Sequence, residues 1–444
     1  MNGVSVEVGG VTTRVETRIA SSGAIQERSS PGYERLKPGP GRPPEQVRAN
    51  QRARIHHAMV EIAADVGYEH VTVRSLTRAA GVSSRTFYLH FSNREDCLAS
   101  AIDSLGRRLL RRAACRNSDG LEWQDRMRAM LASLLEDFAE QPKVARLLLV
   151  ESVAAGRPGR TSASELTSGL ERLLAHVLGR APVAPTPPYR MVVGIAAGVA
   201  RVATLTTLTG RASELPALAH QLGDWVLQVY NERAVSLCRP PRRPGRGGRR
   251  EPQPFPAELS VLSGLGEGER ILAAAARLAG ERGPAALTAS KIRREAGVSR
   301  RSFDARFLDP ADCFLAAVES LARTATVKAE AWADACGGGG PHTGRTLLAL
   351  CAMAARNQTQ ARLVLVGILA PGRIGHARRE QLISDASERL MKRKTRSASS
   401  GSPLGLEASV AATWRIAQRE VVAGRADRLP ELAPLLSSFV TSSG

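Results

Sequence analysis

The sequence predicts an all-α chain made of two similar units in tandem, each a three-helix helix-turn-helix domain followed by a larger helical bundle. Three observations carry that expectation. A block occurs twice without a gap: Arg54–Leu98 reads RIHHAMVEIAADVGYEHVTVRSLTRAAGVSSRTFYLHFSNREDCL, and 216 residues later Arg270–Phe314 reads RILAAAARLAGERGPAALTASKIRREAGVSRRSFDARFLDPADCF. About a third of the aligned positions are identical. Within each block, apolar residues recur at helical spacing between glycine stops. The duplication also continues beyond the block. Ala145-Arg-Leu-Leu-Leu-Val150 returns as Ala361-Arg-Leu-Val-Leu-Val366 at the same offset. Gly210-Arg-Ala-Ser-Glu-Leu-Pro-Ala-Leu-Ala returns as Gly424-Arg-Ala-Asp-Arg-Leu-Pro-Glu-Leu-Ala at an offset of 214, followed by Trp225-Val226 and Phe439-Val440. A period this long denotes duplicated domains, not a solenoid.

In order along the chain, residues 1–45 are polar, rich in Gly and Pro, and read as a disordered arm. The first helix-turn-helix domain is expected at 46–98. Ile55, Met59, Ile62, Ala63 and Val66 trace one face of a helix of about four turns, which Gly67 ends. Thr72 stands at the N-cap of a short helix, Val73–Ala80. Gly81 permits the tight turn, and Ser83 caps a third helix, Ser84–His90. Phe87 and Phe91, four apart, face inward, leaving Ser84, Arg85, Thr86 and Tyr88 outward. A helical domain at 99–235 and a basic Pro/Gly-rich linker at 236–260 follow. The second helix-turn-helix at 261–314 and the second helical domain at 315–444 complete the tandem. Two short helices across a Gly-containing turn are a device that seats its second helix in the DNA major groove.

The block GYEHVTVRSLTRAAGVSSRTFYLHFSNRE resembles the DNA-binding domain of TetR-family transcriptional regulators, through Thr72, Gly81, Val82, Ser83, Tyr88, His90, Phe91 and Arg94. The resemblance implies three DNA-reading helices and an all-helical C-terminal domain that binds an effector and dimerises. By position it places Ser84, Arg85 and Thr86 toward base edges, with the capping Ser83 also among the DNA-binding residues. It places Thr72, Tyr88, His90 and Arg94 toward phosphates, with Arg94 where the family usually has Lys. An arginine on the recognition helix can read guanine bidentately, whereas phosphate contacts set the docking register.

The second copy departs from that pattern. Asp304 replaces Tyr88 and Pro310 replaces Arg94, removing two expected phosphate contacts, while Arg300, Arg301 and Arg306 add charge beside Ser302. Gly297, Val298, Phe303 and Phe307 keep the fold. Two readings stay open: a second DNA reader, or a degenerate repeat kept for packing.

TetR-like proteins dimerise through their last two helices. Here those helices would span roughly residues 189–208 with 214–232, and 407–422 with 426–440. Fused in one chain, they can form an intramolecular pseudo-dimer with heads near one DNA turn apart, about 34 Å, on a pseudo-palindromic operator. A homodimer of the whole chain, carrying four heads, is the competing arrangement. The bundles are rich in Ala, Leu and Val and poor in aromatics, which suits a small apolar or amphipathic effector if a cavity exists.

A formal net charge of +20 favours double-stranded DNA or another polyanion as partner. Arg42 lies in the Gly-Arg-Pro core of an AT-hook-like arm, a group that can enter a narrow A·T-rich minor groove; a plain flexible leader is the simpler alternative. The linker's six arginines, between 239 and 250, either add sequence-independent phosphate affinity or form a solvated spacer. Arg107, Arg108, Arg111 and Arg112 read as a solvated helix face. The basic run at Arg389–Arg396 reads as a helix end.

The six Cys are scattered, without Cys-x-x-Cys pairs or His at metal spacing, so neither metal nor cofactor is expected, and Cys97 and Cys313 read as buried thiols. No phosphate loop or nucleophile elbow marks an enzyme. His56-His57 reads as a surface or backbone-proximal pair. No leader peptide or membrane span is expected, since the apolar run at 192–208 is broken by Arg201. The expectation is therefore a cytoplasmic, nucleoid-associated bacterial regulator, an effector-responsive repressor. The alternatives are a non-sequence-specific architectural DNA-binding protein, a regulator that binds through the first head alone, and a ligand-responsive module whose heads no longer bind DNA.

Overall fold

Helix ends in this chain are written by Ser and Thr caps, Gly stops and Pro starts, and the computed structural model follows them closely. It describes residues 5–8, 11–14, 36, 43–115, 121–180, 189–238, 266–336, 342–396 and 402–441. The chain divides into two units, Met1–Ser104 and Leu105–Gly444.

In the first unit a small antiparallel hairpin pairs β1 (Ser5–Val8) with β2 (Val11–Arg14), within the arm expected to lack structure. The alternation Val-Glu-Val, Gly-Gly, Val-Thr-Thr is a hairpin signal that the arm's overall composition hides. Helix α1 spans Pro44–Val66 and begins earlier than the apolar stripe implied, with Pro44 at a position where a missing N–H costs nothing. Then come α2 (Val73–Ala80), α3 (Ser84–His90) and α4 (Arg94–Cys115), the last crossing the unit boundary. Ile55, Met59, Ala63, Leu76, Phe87 and Leu98 form the core. Val66 is in phase with the stripe yet 52% exposed, because it is the last residue of α1, and periodicity does not register where covering helices stop. His56 is buried and not a surface residue, its Nε2 3.2 Å from Ser100 Oγ. Burial pushes the Cys97 and Cys313 thiols up to about 12, as expected of inert core cysteines.

The second unit continues with α5 (Trp123–Glu140), α6 (Pro142–Arg146), a π-helical turn at Leu147–Glu151, α7 (Ser152–Ala154), α8 (Gly156–Leu178), α9 (Tyr189–Leu208) and α10 (Leu215–Cys238). The second head is α11 (Glu267–Arg282), α12 (Ala289–Ala296) and α13 (Arg300–Asp304). Its core gathers Ile271, Ala275, Leu278, Ile292, Phe303 and Cys313. The remaining helices are α14 (Pro310–Ala335), α15 (His342–Arg356), α16 (Gln358–Leu365), α17 (Arg373–Arg396), α18 (Pro403–Val422) and α19 (Leu429–Thr441). Not all of the expected solvated Arg face on α4 is solvated: Arg108 donates to Gln141, and Arg112 lies 2.9 Å from the buried Asp137 carboxylate.

The repeated halves meet where α9 packs along α18, flanked by α10 and α19. Helix α9 is long and apolar enough to cross a membrane by composition, but 78% of its apolar window is buried inside the protein. Gly194 and Gly198 make the approach possible: a methyl group on either would collide with the Phe439 ring or the Trp225 ring. Those two aromatics are repeat equivalents, and they face each other with centroids 6.3 Å apart. Trp225 Nε1 donates to Ser409 Oγ at 3.0 Å, and Ser409 donates to the Phe439 carbonyl at 2.6 Å.

Arg201, 3% exposed, anchors this seam. It donates to the Glu380 carboxylate, to Glu407 Oε2 at 3.0 Å and to Ser384 Oγ at 2.7 Å. Burial alone would raise the Glu380 carboxyl, but Arg379 and Arg201 outweigh it and hold it down at about 2. Nearby, Arg190 reaches Glu420 through two hydrogen bonds of 2.8 and 3.2 Å, and Arg419 lies 2.8 Å from Glu171.

Replacing Arg201 with Ala strands a buried carboxylate and should cost about 3–5 kcal/mol at pH 7, measured by denaturant unfolding. Because the Glu380 pKa is depressed in the folded state, its contribution is complete above the unfolded carboxyl pKa, near 4.5, and is lost as pH falls toward 2. The gap between wild type and variant should therefore narrow below pH 4.5. A gap that is small at pH 7, or that widens in acid, contradicts this assignment.

Candidate nucleic-acid interface

The first head is assembled by hydrogen bonds that its sequence announces. Ser75 N–H donates to Thr72 Oγ1 and Thr72 N–H to Ser75 Oγ, both at 3.0 Å, a reciprocal cap on α2. Gly81 takes φ +59, so the chain can reverse, and Thr86 N–H donates to Ser83 Oγ at 3.0 Å to start α3. The α2 C-terminus is stapled by Arg54, whose Nη2 donates to the Ala80 carbonyl and, at 3.1 Å, to that of Gly81. The second head has the same staple at the equivalent residues: Arg270 Nε donates to the Ala296 carbonyl at 3.3 Å.

On α3, Ser84, Arg85 and Tyr88 are exposed, while Thr86 is half-buried with its hydroxyl 2.9 Å from that of Ser83. Phe87 and Phe91 face inward, and the Tyr88 ring stands edge-on to Phe87. Thr72 is exposed at the foot of α2. His90 Nε2 lies 3.1 Å from Gln51 Oε1. Burial, then Arg52 and Arg48, lower its pKa, which favours the neutral imidazole. Arg94 is turned back into the head: Nη1 donates to the Val71 carbonyl at 2.6 Å, Nε meets Glu95 at 2.9 Å, and the guanidinium lies over the Tyr68 ring. It braces α4 against the turn before α2. Arg42 lies outside the described residues, as do most of the linker and the loops at 117–120 and 337–340.

Sequence reasoning missed three participants. Arg48 and Arg52 are exposed on the early turns of α1 and act electrostatically on His90. Their i,i+4 spacing in Arg48-Ala-Asn-Gln-Arg52 was the available signal. Leu89 is an apolar side chain left 76% exposed on α3.

The second head keeps the frame and changes the surface. Thr288 and Ser299 cap α12 and α13, and Gly297 takes φ +63. Helix α13 stops at Asp304, two residues short of its counterpart, so Arg306 lies beyond the helix on which it was expected. A carboxylate at a helix C-terminus opposes the helix dipole, which accounts for the early stop. Arg300 Nε lies 3.2 Å from Asp304 Oδ2. Arg306 Nη1 donates at 2.9 Å to both the carbonyl and the hydroxyl of Ser302, and Nη2 lies 3.5 Å from Glu267. Arg301 is exposed.

Two capped helix-turn-helix heads on all-helical bundles define a helix-turn-helix protein carrying its reading element twice. The model of the tetR family of bacterial regulatory proteins matches residues 55–101 and again 271–317. Both heads therefore resemble the part of that family the model describes, in tandem. An uncharacterized HTH-type transcriptional regulator of Haemophilus influenzae is 29% identical over 126 residues, 27% of this chain; the chain spans 60% of that relative's length. Among solved structures, the fatty acid degradation regulator FadR of Bacillus halodurans is 21% identical with a TM-score of 0.37, covering 43% of this chain and 97% of its own. FadR of Bacillus subtilis in complex with stearoyl-CoA is 20% identical with a TM-score of 0.37, covering 39% and 96%.

Because the Arg54 staple satisfies carbonyls at the end of α2, Arg54→Ala should loosen α2 and α3 locally, by about 1–3 kcal/mol. Amide hydrogen exchange should accelerate in residues 73–91. Unchanged protection there would remove the staple from the account.

Proposed function

We propose that the chain is a sequence-specific DNA-binding regulator of transcription, an effector-responsive repressor, that reads duplex DNA chiefly through its first head. The observation that carries this reading is α3, a capped second helix of a helix-turn-helix that presents Ser84, Arg85 and Tyr88 outward from a tightly buried core. In this reading Ser84, Arg85 and Thr86 face base edges, and Arg85 takes a guanine through two donors. Thr72 and Tyr88 take phosphates, His90 adds a neutral hydrogen-bonding group, and Arg48 and Arg52 supply positive charge beside them. Ser83 and Arg94 hold the geometry.

The seam of α9 with α18 supports reading the chain as a single-polypeptide pseudo-dimer, because helices of both halves already cover each other there. A cavity of about 420 Å³ in the second half, within the range of small-ligand sites, supports an effector role. Leu321, Leu347, Met353, Leu382, Trp414 and Leu436 line it. The hydroxyls of Thr326, Thr346 and Thr413 on its walls donate to carbonyls of their own helices, and Arg323, Arg378 and Arg389 share the lining with the apolar residues, which suits an amphipathic molecule. An architectural role resting on the net charge of +20 is the competing reading.

The test is selection of genomic fragments by the purified chain at near-physiological salt. A small set of enriched sites is expected, and Arg85→Ala should relax one base position by about 1–3 kcal/mol. Binding without enrichment that simply fades with salt would transfer the case to the architectural reading.

A further inference from the structure

The two heads can be compared position by position: Arg78 and Arg294, and Arg85 and Arg301, are alike in lacking a side-chain hydrogen bond or ion pair among the described residues, whereas other cations of the second head are engaged. In the first head, the side chains of Arg48, Arg74, Arg78 and Arg85 have no hydrogen-bonding or ionic partner among the described residues. In the second, Lys291 and Arg293 are bent back onto the Ala286 and Ala289 carbonyls, at 2.9 and 3.3 Å. Arg300 is held by Asp304, and Arg306 by Glu267 and Ser302. Glu267 also accepts a hydrogen bond from the Ser302 hydroxyl.

Glu267 is the repeat equivalent of Gln51, and Arg306 of His90. In the first head that pair is a neutral contact of 3.1 Å between amide and imidazole. In the second, the same two positions form an ion pair. Asp304 stands where the first head has Tyr88. Two positions that in one head are neutral hydrogen-bonding groups thus carry carboxylates in the other, each beside an arginine of the recognition surface. Exposed pairs of this kind contribute little to stability, so holding the fold does not explain them. Their effect is on the field outside: a carboxylate 3 to 4 Å from a guanidinium cancels much of its attraction for a phosphate, and itself repels one.

We propose that Glu267 and Asp304 are built-in phosphate substitutes that occupy Arg306 and Arg300 and keep the second head off DNA. This rests on the regulator reading above and adds the residues that make the heads unequal. Restoring the first head's residues should switch the second head on. The test uses the full chain, Glu267→Gln with Asp304→Tyr, and a random-sequence duplex titrated across a range of salt. Freeing two cations should tighten binding and steepen the slope of log K against log salt by about two. Footprints on a fragment selected by the wild-type chain should then extend across a second half-site. The reverse exchange, Gln51→Glu with Tyr88→Asp, should flatten the slope, and it decides the matter if the first variant does not fold. Wild-type binding with an unchanged slope in a folded variant overturns this inference alone, as does wild-type protection of two half-sites. A chain that binds no duplex in any form overturns the regulator reading itself.

Discussion

A guanidinium shut away from water is tolerated only when its five N–H donors find acceptors in the interior. Arg201 meets that demand by reaching out of α9 to Glu380 and Ser384 on α17 and to Glu407 on α18. All three partners lie in the second repeat, whereas Arg201 lies in the first. The arginine therefore fixes the register in which the halves pack, which apolar contact between smooth helices would leave less defined. Its repeat equivalent, Arg415, is half-buried, and desolvation followed by the neighbouring Arg419 and Arg379 pulls its pKa down to about 10. The glycines at 194 and 198 then let the Trp225 and Phe439 rings close the remaining space.

A duplicated chain of this kind is free to let its copies diverge: the cores exchange one apolar residue for another, Met59 against Ala275 and Leu98 against Phe314, while the surfaces change charge. Both heads keep the Ser and Thr caps, the left-handed glycine and the arginine staple, because each satisfies backbone groups that have no alternative partner. What changes is the charge facing outward: Gln51 against Glu267, Tyr88 against Asp304, His90 against Arg306. A fold of this type can lose a reader without losing a domain.

Much of this was legible in the sequence. The bounds of α2 and α3 follow from Thr72, Gly81 and Ser83, and the buried character of α9 followed from a single arginine in an apolar run. Local chemistry decides such features, so local patterns reveal them. Non-local pairings stayed hidden. Arg94 has the right position for a phosphate contact, yet its guanidinium finds the Val71 carbonyl, 23 residues away in sequence. His56 looked like a surface residue until Ser100 supplied its partner. Arg306 was expected to add charge to a helix that ends before it, and Glu267, which meets it from α11, carried no motif at all. Each of these depends on which side chain arrives from another helix, and no periodicity encodes that.

In the proposed pseudo-dimer, one polypeptide supplies both halves of the working assembly. The most direct measurement is the mass, by sedimentation, of the complex between the full chain and a duplex it selects. One chain per duplex is the result this account predicts, with the free protein monomeric at the same concentration. Two chains per duplex, together with a stable dimer in the absence of DNA, would mean that the α9–α18 seam does not substitute for a partner, and would contradict it.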